Sequence, residues 1–140
     1  MSAQAKVLIV DDDEVVRLAY QRSLQTAHCD VQAVANGEDA VRAVERQAFD
    51  VLLLDLRMPG MDGLAVLKAV KETSPKSEVI VITGYPSVES AKQAVQLGAY
   101  DYLAKPVGPA EVINATTEAI AHKTWALRTD RAGSAAAANS

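Results

Sequence analysis

The chain has little of what would send it to a membrane, a nucleic acid or an oxidising compartment. One cysteine, Cys29, stands among 140 residues. A lone thiol cannot form an internal disulfide, which fits a reducing compartment, and with no Cys/His cluster to join it reads as a small apolar side chain. No apolar stretch approaches the length that crosses a bilayer. The beginning, "MSAQAKVLIV", lacks the charged, then apolar, then small-residue order of a signal peptide, so the expected location is the cytoplasm, away from membranes. There is no Lys/Arg-rich run either, and the formal net charge is -4. Without a basic stripe to meet a phosphate backbone, direct nucleic-acid binding by this chain is not expected.

What is present is enough apolar material for one domain: 49% of the residues are hydrophobic. Three short runs, "VLIV" at Val7 to Val10, "VLLL" at Val51 to Leu54 and "VIVI" at Val79 to Ile82, are apolar at every position, as suits central strands of a parallel sheet covered on both faces. Two weaker segments, "VQAVA" from Val31 and "YDYLA" from Tyr100, read as flanking strands. Between them, apolar residues recur at helical spacing: Val16, Tyr20, Leu24 and Ala27; Val41, Val44 and Ala48; Leu64, Leu67 and Val70; Val88, Ala91 and Val95; Ile113, Thr116 and Ile120. Asn36 is placed to cap the second helix, the third is expected after "PGMDG", "LGA" closes the fourth, and Pro109 suits a first helical turn. A helical bundle would share the stripes but not the alternation with β-rich runs. The expected fold is α/β, a flavodoxin-like doubly wound (βα)5 domain with a five-stranded parallel sheet in the order 2-1-3-4-5. Its ligand crevice lies beyond the carboxyl ends of the strands.

That is where the charge is concentrated. "VLIV" runs directly into Asp11, Asp12 and Asp13, and "VLLL" into Asp55. Carboxylates converging at the end of buried strands repel one another and lose hydration, and a hard divalent ion with oxygen ligands is the natural remedy. Mg²⁺ fits best, since its sites commonly combine one or two carboxylates with waters and a phosphoryl oxygen. Asp13 is expected to cap or start the first helix, where negative charge is favourable. Thr83, ending the fourth run, and Lys105, ending the fifth, point to the same edge. A hydroxyl and an ammonium beside the acids and a metal make an anion-handling site suited to a phosphoryl group.

The motifs "VDDDE", "LLLDLRMPGMDGL", "VITGY" and "GAYDYLAKP", four in order on four expected strand ends, resemble those of receiver domains of two-component response regulators. The resemblance covers about residues 6 to 123. It implies that Asp55 is the phosphoacceptor, that Mg²⁺ is held by Asp11, Asp12, Asp55 and the main-chain carbonyl of Arg57, and that Thr83 and Lys105 assist the chemistry. It places Pro106 after a cis peptide bond and makes Thr83 and Tyr102 the switch residues. It further implies a sensor histidine kinase as partner and a signalling domain rather than an enzyme, with only self-phosphorylation and self-dephosphorylation chemistry. The output is a shape change on the face of the fourth helix, fifth strand and fifth helix, with transcription the expected process. A homodimer through that face, an attached output domain or a downstream effector are the expected partners. Arg57 and Tyr85, both bulky, are expected to hinder water and slow hydrolysis of the phosphoryl group.

Three other readings compete. An aspartyl phosphatase of the haloacid dehalogenase type needs a second aspartate two residues after the nucleophile, where this chain has Arg57. A receiver-like scaffold that is never phosphorylated would not need the acids, Thr83 and Lys105 together. A flavodoxin-like cofactor binder lacks its Ser/Thr/Gly-rich phosphate cradle. Domain boundaries are expected at 1–123, with 124–140 a helix extension, linker or tail: "KTWALR" is placed to prolong the last helix, and "RTDRAGSAAAANS" has no apolar stripe. No helix-turn-helix or ATPase motif follows, so the expectation is a receiver cut from a longer protein or a stand-alone one. His28 and His122 have no motif context and read as surface residues.

Overall fold

Strands that are apolar on both faces need a helical layer on each side, and the computed structural model, which describes residues 4–139, supplies both. The sheet strands are β1 (Lys6–Val10), β2 (Asp30–Val34), β3 (Val51–Leu54), β4 (Glu78–Thr83) and β5 (Asp101–Ala104). They alternate with α1 (Glu14–Thr26), α2 (Gly37–Arg46), α3 (Gly63–Thr73), α4 (Val88–Gln96) and α5 (Pro109–Asn139). All sheet pairings are parallel, in the order β2-β1-β3-β4-β5. This is the doubly wound arrangement expected from the sequence.

Strand alternation sends successive side chains to opposite faces. Leu8, Val10, Leu52, Leu54, Val79 and Val81 pack with Ala40, Val44, Val66, Leu67, Val70 and Ala94 of α2, α3 and α4. Val7, Ile9, Val51, Leu53, Ile80 and Ile82 pack with Tyr20, Leu24, Val112, Ala115 and Ala119 of α1 and α5. The unbroken apolar runs are thus two half-cores read alternately. Edge strands β2 and β5 are only partly buried, which is why their sequences are more mixed. Helix α4 buries a single side chain, Ala94, while Val88 and Val95 stand 73% and 65% exposed.

The helix starts follow local chemistry. The Asp13 carboxylate accepts from the Val15 and Val16 amides, and Asn36 accepts from that of Asp39. Helix α3 begins at Gly63, inside "PGMDG" rather than after it, because the Asp62 carboxylate caps it through the Leu64 amide at 3.1 Å. Just before it, Arg57–Met58 and Met61–Asp62 form a two-residue antiparallel ribbon, too short to leave a period in the sequence. A Cβ on Gly63 would meet the Leu56 carbonyl oxygen at 2.5 Å, so only glycine lets this helix start against the loop that leaves β3. The Lys105–Pro106 peptide bond is cis.

Candidate functional site

Register carries the acids together. Val10 of β1 pairs with Leu54 of β3, so the next residue on each strand, Asp11 and Asp55, leaves the sheet beside the other. The ladder continues through them: the Asp55 amide donates to the Val10 carbonyl at 2.9 Å and the Asp11 amide to the Val34 carbonyl at 3.2 Å. Both side chains are buried, at 2% and 6% exposure for Asp11 and Asp55. Asp12, exposed, completes a group in which one carboxylate oxygen from each residue lies within 4.8 Å of the other two. Asp13 has turned away to cap α1.

Lys105, at the end of β5, reaches across β4 to these acids. Its Nζ lies 2.8 Å from Asp11 Oδ2 and 3.3 Å from Asp55 Oδ2. Burial disfavours the ammonium, but the hydrogen bond to Asp11 and the charges of Asp11 and Asp55 outweigh it and hold Lys105 above the usual amine range. At Asp55 burial wins: it pushes the carboxyl up, with Asp11 adding to it, against the Arg57 amide and Lys105, which stabilise the ionised form. The Arg57 amide donates to Asp55 Oδ1 at 3.1 Å, leaving Oδ2 toward Lys105.

Thr83 is buried at the end of β4, and its Oγ1 accepts the Tyr85 amide at 3.1 Å. Tyr102, half-buried on β5, does not face the acids: its phenol oxygen accepts the Ser87 amide at 3.2 Å and pairs with the Ser90 hydroxyl, both at the start of α4. Arg57 and Tyr85 meet above the site, the guanidinium 4.1 Å from the ring centroid. They line one shallow depression with Leu56, Met58, Pro59, Met61 and Asp62. The structure therefore gathers Asp11, Asp12, Asp55 and Lys105 into one cluster, with the Arg57 amide bonded to Asp55, the Thr83 carbonyl accepting the Lys105 amide, and Tyr102 tied to α4.

Three features escaped the sequence reading. The Arg57–Tyr85 stack joins two loops and leaves no periodic signal. The phenol of Tyr20, buried under α1, lies within electrostatic reach of Lys105, Asp11 and Asp55, and burial raises its pKa; as a helix-stripe residue it read only as core. Arg17 donates its guanidinium to the Asp11 carbonyl at 2.9 Å. Its spacing from the aspartates was visible, but its target was not.

Three carboxylates facing one ammonium retain an excess of negative charge, and every side-chain donor in the acidic group is an oxygen. That set fits a hard divalent cation and not a soft one.

Comparison with known proteins agrees in extent and kind. Residues 7–117 match the family model described as the response regulator receiver domain. Among curated proteins, the DNA-binding transcriptional regulator NtrC of Escherichia coli K12 is 40% identical over 116 residues, 83% of this chain and 25% of that protein. The C4-dicarboxylate transport transcriptional regulatory protein DctD of Rhizobium meliloti is 34% identical over 119 residues, 85% of this chain and 26% of that one. This chain thus spans about a quarter of the length of these relatives. Among solved structures, a CheY-like response regulator receiver domain protein from Methanospirillum hungatei superposes with a TM-score of 0.85 at 26% identity, covering 87% of this chain and 98% of that one.

Proposed function

The chain belongs to the response regulator receiver domain family, and from that premise we propose that Asp55 accepts a phosphoryl group from a sensor histidine kinase. The observation that carries the reading is the pairing of a buried carboxylate at the end of the central strand with an ammonium at 3.3 Å and two further acids within 4.8 Å. A carboxylate oxygen of Asp55 attacks phosphorus in line. The new P–O bond forms as the P–N bond to the donor histidine breaks, and the electron pair leaves with the imidazole.

Little covalent work falls to the protein in such a transfer; positioning and charge do most of it. The Arg57 amide fixes the rotation of the Asp55 carboxylate through Oδ1. Lys105, held fully charged by Asp11, supplies a cation that can follow the phosphoryl oxygens. Asp11, Asp12 and Asp55, with the main-chain carbonyl of Arg57, would hold Mg²⁺, which supplies charge neutralisation and alignment of the incoming phosphoryl oxygens. The Thr83 hydroxyl, which uses its oxygen to accept from Tyr85, keeps its proton to donate to a phosphoryl oxygen.

The output follows from what Thr83 and Tyr102 touch. Drawing the Thr83 hydroxyl toward Asp55 pulls on the Tyr85 amide and the loop leading to Ser87 and Ser90, the partners of the Tyr102 phenol. Freed from them, Tyr102 turns and remodels the α4-β5-α5 face, which then meets an output domain, a downstream effector or a second copy. Transcription is the process proposed, in the cytoplasm.

The test is intact mass after incubation with acetyl phosphate, with and without Mg²⁺, beside Asp55→Asn. A single Mg²⁺-dependent phosphoryl adduct, absent from the variant, is expected. Undiminished labelling of Asp55→Asn would overturn the assignment of the acceptor.

A further inference from the structure

The Asp12 carboxylate accepts no hydrogen bond among the described residues, although it is one of three acids turned toward a common centre. A free, exposed carboxylate samples several rotamers, so something must aim the main chain that carries it. Two peptide planes flank Asp12, and both are fixed. The plane before it presents the Asp11 carbonyl, which accepts the Arg17 guanidinium at 2.9 Å. The plane after it presents the Asp13 amide, which donates to Asp11 Oδ1 at 2.9 Å. Asp13 is anchored in turn through its carboxylate to the Val15 amide at 2.9 Å. With both planes held, the Cα–Cβ direction of Asp12 is set before any ligand arrives.

We propose that Arg17 is a positioning residue for the cation: by clamping the Asp11–Asp12 peptide it preorganises the Asp12 carboxylate without touching the ion itself. The inference rests on the reading of the acidic cluster as a Mg²⁺ site. The choice of arginine supports it. Arg17 is half-buried at the end of the first turn of α1, and its rigid fork reaches back over that turn to a carbonyl that the helix does not bond. As a bare charge it is in the wrong place, since a second cation beside the site repels Mg²⁺. Electrostatics and positioning therefore predict opposite signs when it is removed. Loss of charge alone tightens Mg²⁺ binding, whereas loss of the clamp weakens it. Outer partners that orient metal ligands typically contribute roughly 10- to 100-fold in affinity, and the solvent exposure of Asp12 puts the expected effect here at about 10-fold.

The experiment is Mg²⁺ titration of the whole chain and its Arg17→Ala and Arg17→Lys variants by calorimetry, with amide hydrogen exchange at Asp13, whose amide donates to Asp11 Oδ1, measured without metal. Arg17→Ala is expected to bind Mg²⁺ about 10-fold more weakly and to exchange faster at the Asp13 amide, while the core amides of β1 and β3 in the same sample stay protected. Labelling by acetyl phosphate should need correspondingly more Mg²⁺ for half-saturation, with the rate at saturating Mg²⁺ kept. Arg17→Lys, which keeps a donor and the charge, should recover part of the affinity. Unchanged or tighter binding by Arg17→Ala overturns the proposal, as does a loss of protection spread over the core, which would make Arg17 a general stabiliser. Failure of the unaltered chain to bind Mg²⁺ would instead overturn the metal reading beneath it.

Discussion

Replacing Asp55 with asparagine should make the metal-free protein more stable, although it removes the partner of an ion pair. Asp11 and Asp12 present oxygens within 4.8 Å of those of Asp55. At an effective dielectric constant of about 20, each such pair of charges repels by roughly 3 kcal/mol. The ammonium of Lys105 at 3.3 Å attracts by roughly 5 kcal/mol on the same scale. The repulsions exceed the attraction slightly, the burial of Asp55 acts in the same direction, and water around exposed Asp12 weakens its share. The net expectation is a gain of about 1–2 kcal/mol for Asp55→Asn at neutral pH. The pH dependence carries the sign. The folded-state pKa of Asp55 is raised, so its ionisation costs stability: the cost is fully present above the folded pKa and absent below the unfolded value, about 4. The advantage of Asp55→Asn should therefore shrink as pH falls through that window. Urea denaturation at neutral pH without divalent ions should show an increase in midpoint of roughly 0.5–1 M. Millimolar Mg²⁺ should narrow the gap by stabilising the unaltered chain more. An Asp55→Asn variant no more stable than the unaltered chain, or a gap that persists at pH 4, would refute the reasoning.

Lys105→Ala should separate binding from chemistry: removing a cation from the acids should tighten Mg²⁺ while slowing labelling at saturating Mg²⁺ by at least about 10-fold, measured by calorimetry and intact mass. Tyr85→Ala removes the ring under the Arg57 guanidinium, and the phosphorylated form should then lose its phosphoryl group severalfold faster in a phosphate-release assay; an unchanged rate would deny the stack any part in shielding Asp55. Thr116, on α5, buries a hydroxyl with no hydrogen-bond partner among the described residues, so the near-isosteric Thr116→Val should raise stability by about 1 kcal/mol, read from the urea midpoint. A loss of stability would mean that the hydroxyl is satisfied after all.

The central strands were legible because each must serve two half-cores at once, which forces an unbroken apolar run. The edge strands were fainter because only one flank of each is paired. Asp11 and Asp55 could be placed together from sequence since each directly follows such a run, and parallel register did the rest. Local caps were equally readable at Asn36 and Asp13, where a side chain bonds an amide two or three residues on. What sequence could not show were contacts between elements distant in the chain or between loops without a period. The ribbon at Arg57–Met58 and Met61–Asp62, the Arg57–Tyr85 stack and the Tyr102–Ser90 pair are of that kind. The start of α3 moved by one residue for a local reason, since Asp62 within "PGMDG" was itself the cap.

Helix α4 fully buries one alanine and is otherwise held at its start by the Tyr102 phenol. A helix that buries so little loses little when it slides, since each methylene-sized patch it uncovers is worth only about 0.8 kcal/mol. Two placements of α4 can therefore lie close in free energy, and moving the balance between them from 1:99 to 99:1 takes a bias of about 5.5 kcal/mol. Under the phosphorylation proposed above, one new charged group at the carboxyl end of β3, beside the strand that leads into α4, would have to supply that bias. Had α4 been packed as tightly as α3, the same chemistry at Asp55 would leave the molecule's outline unchanged, and the modification would pass unread.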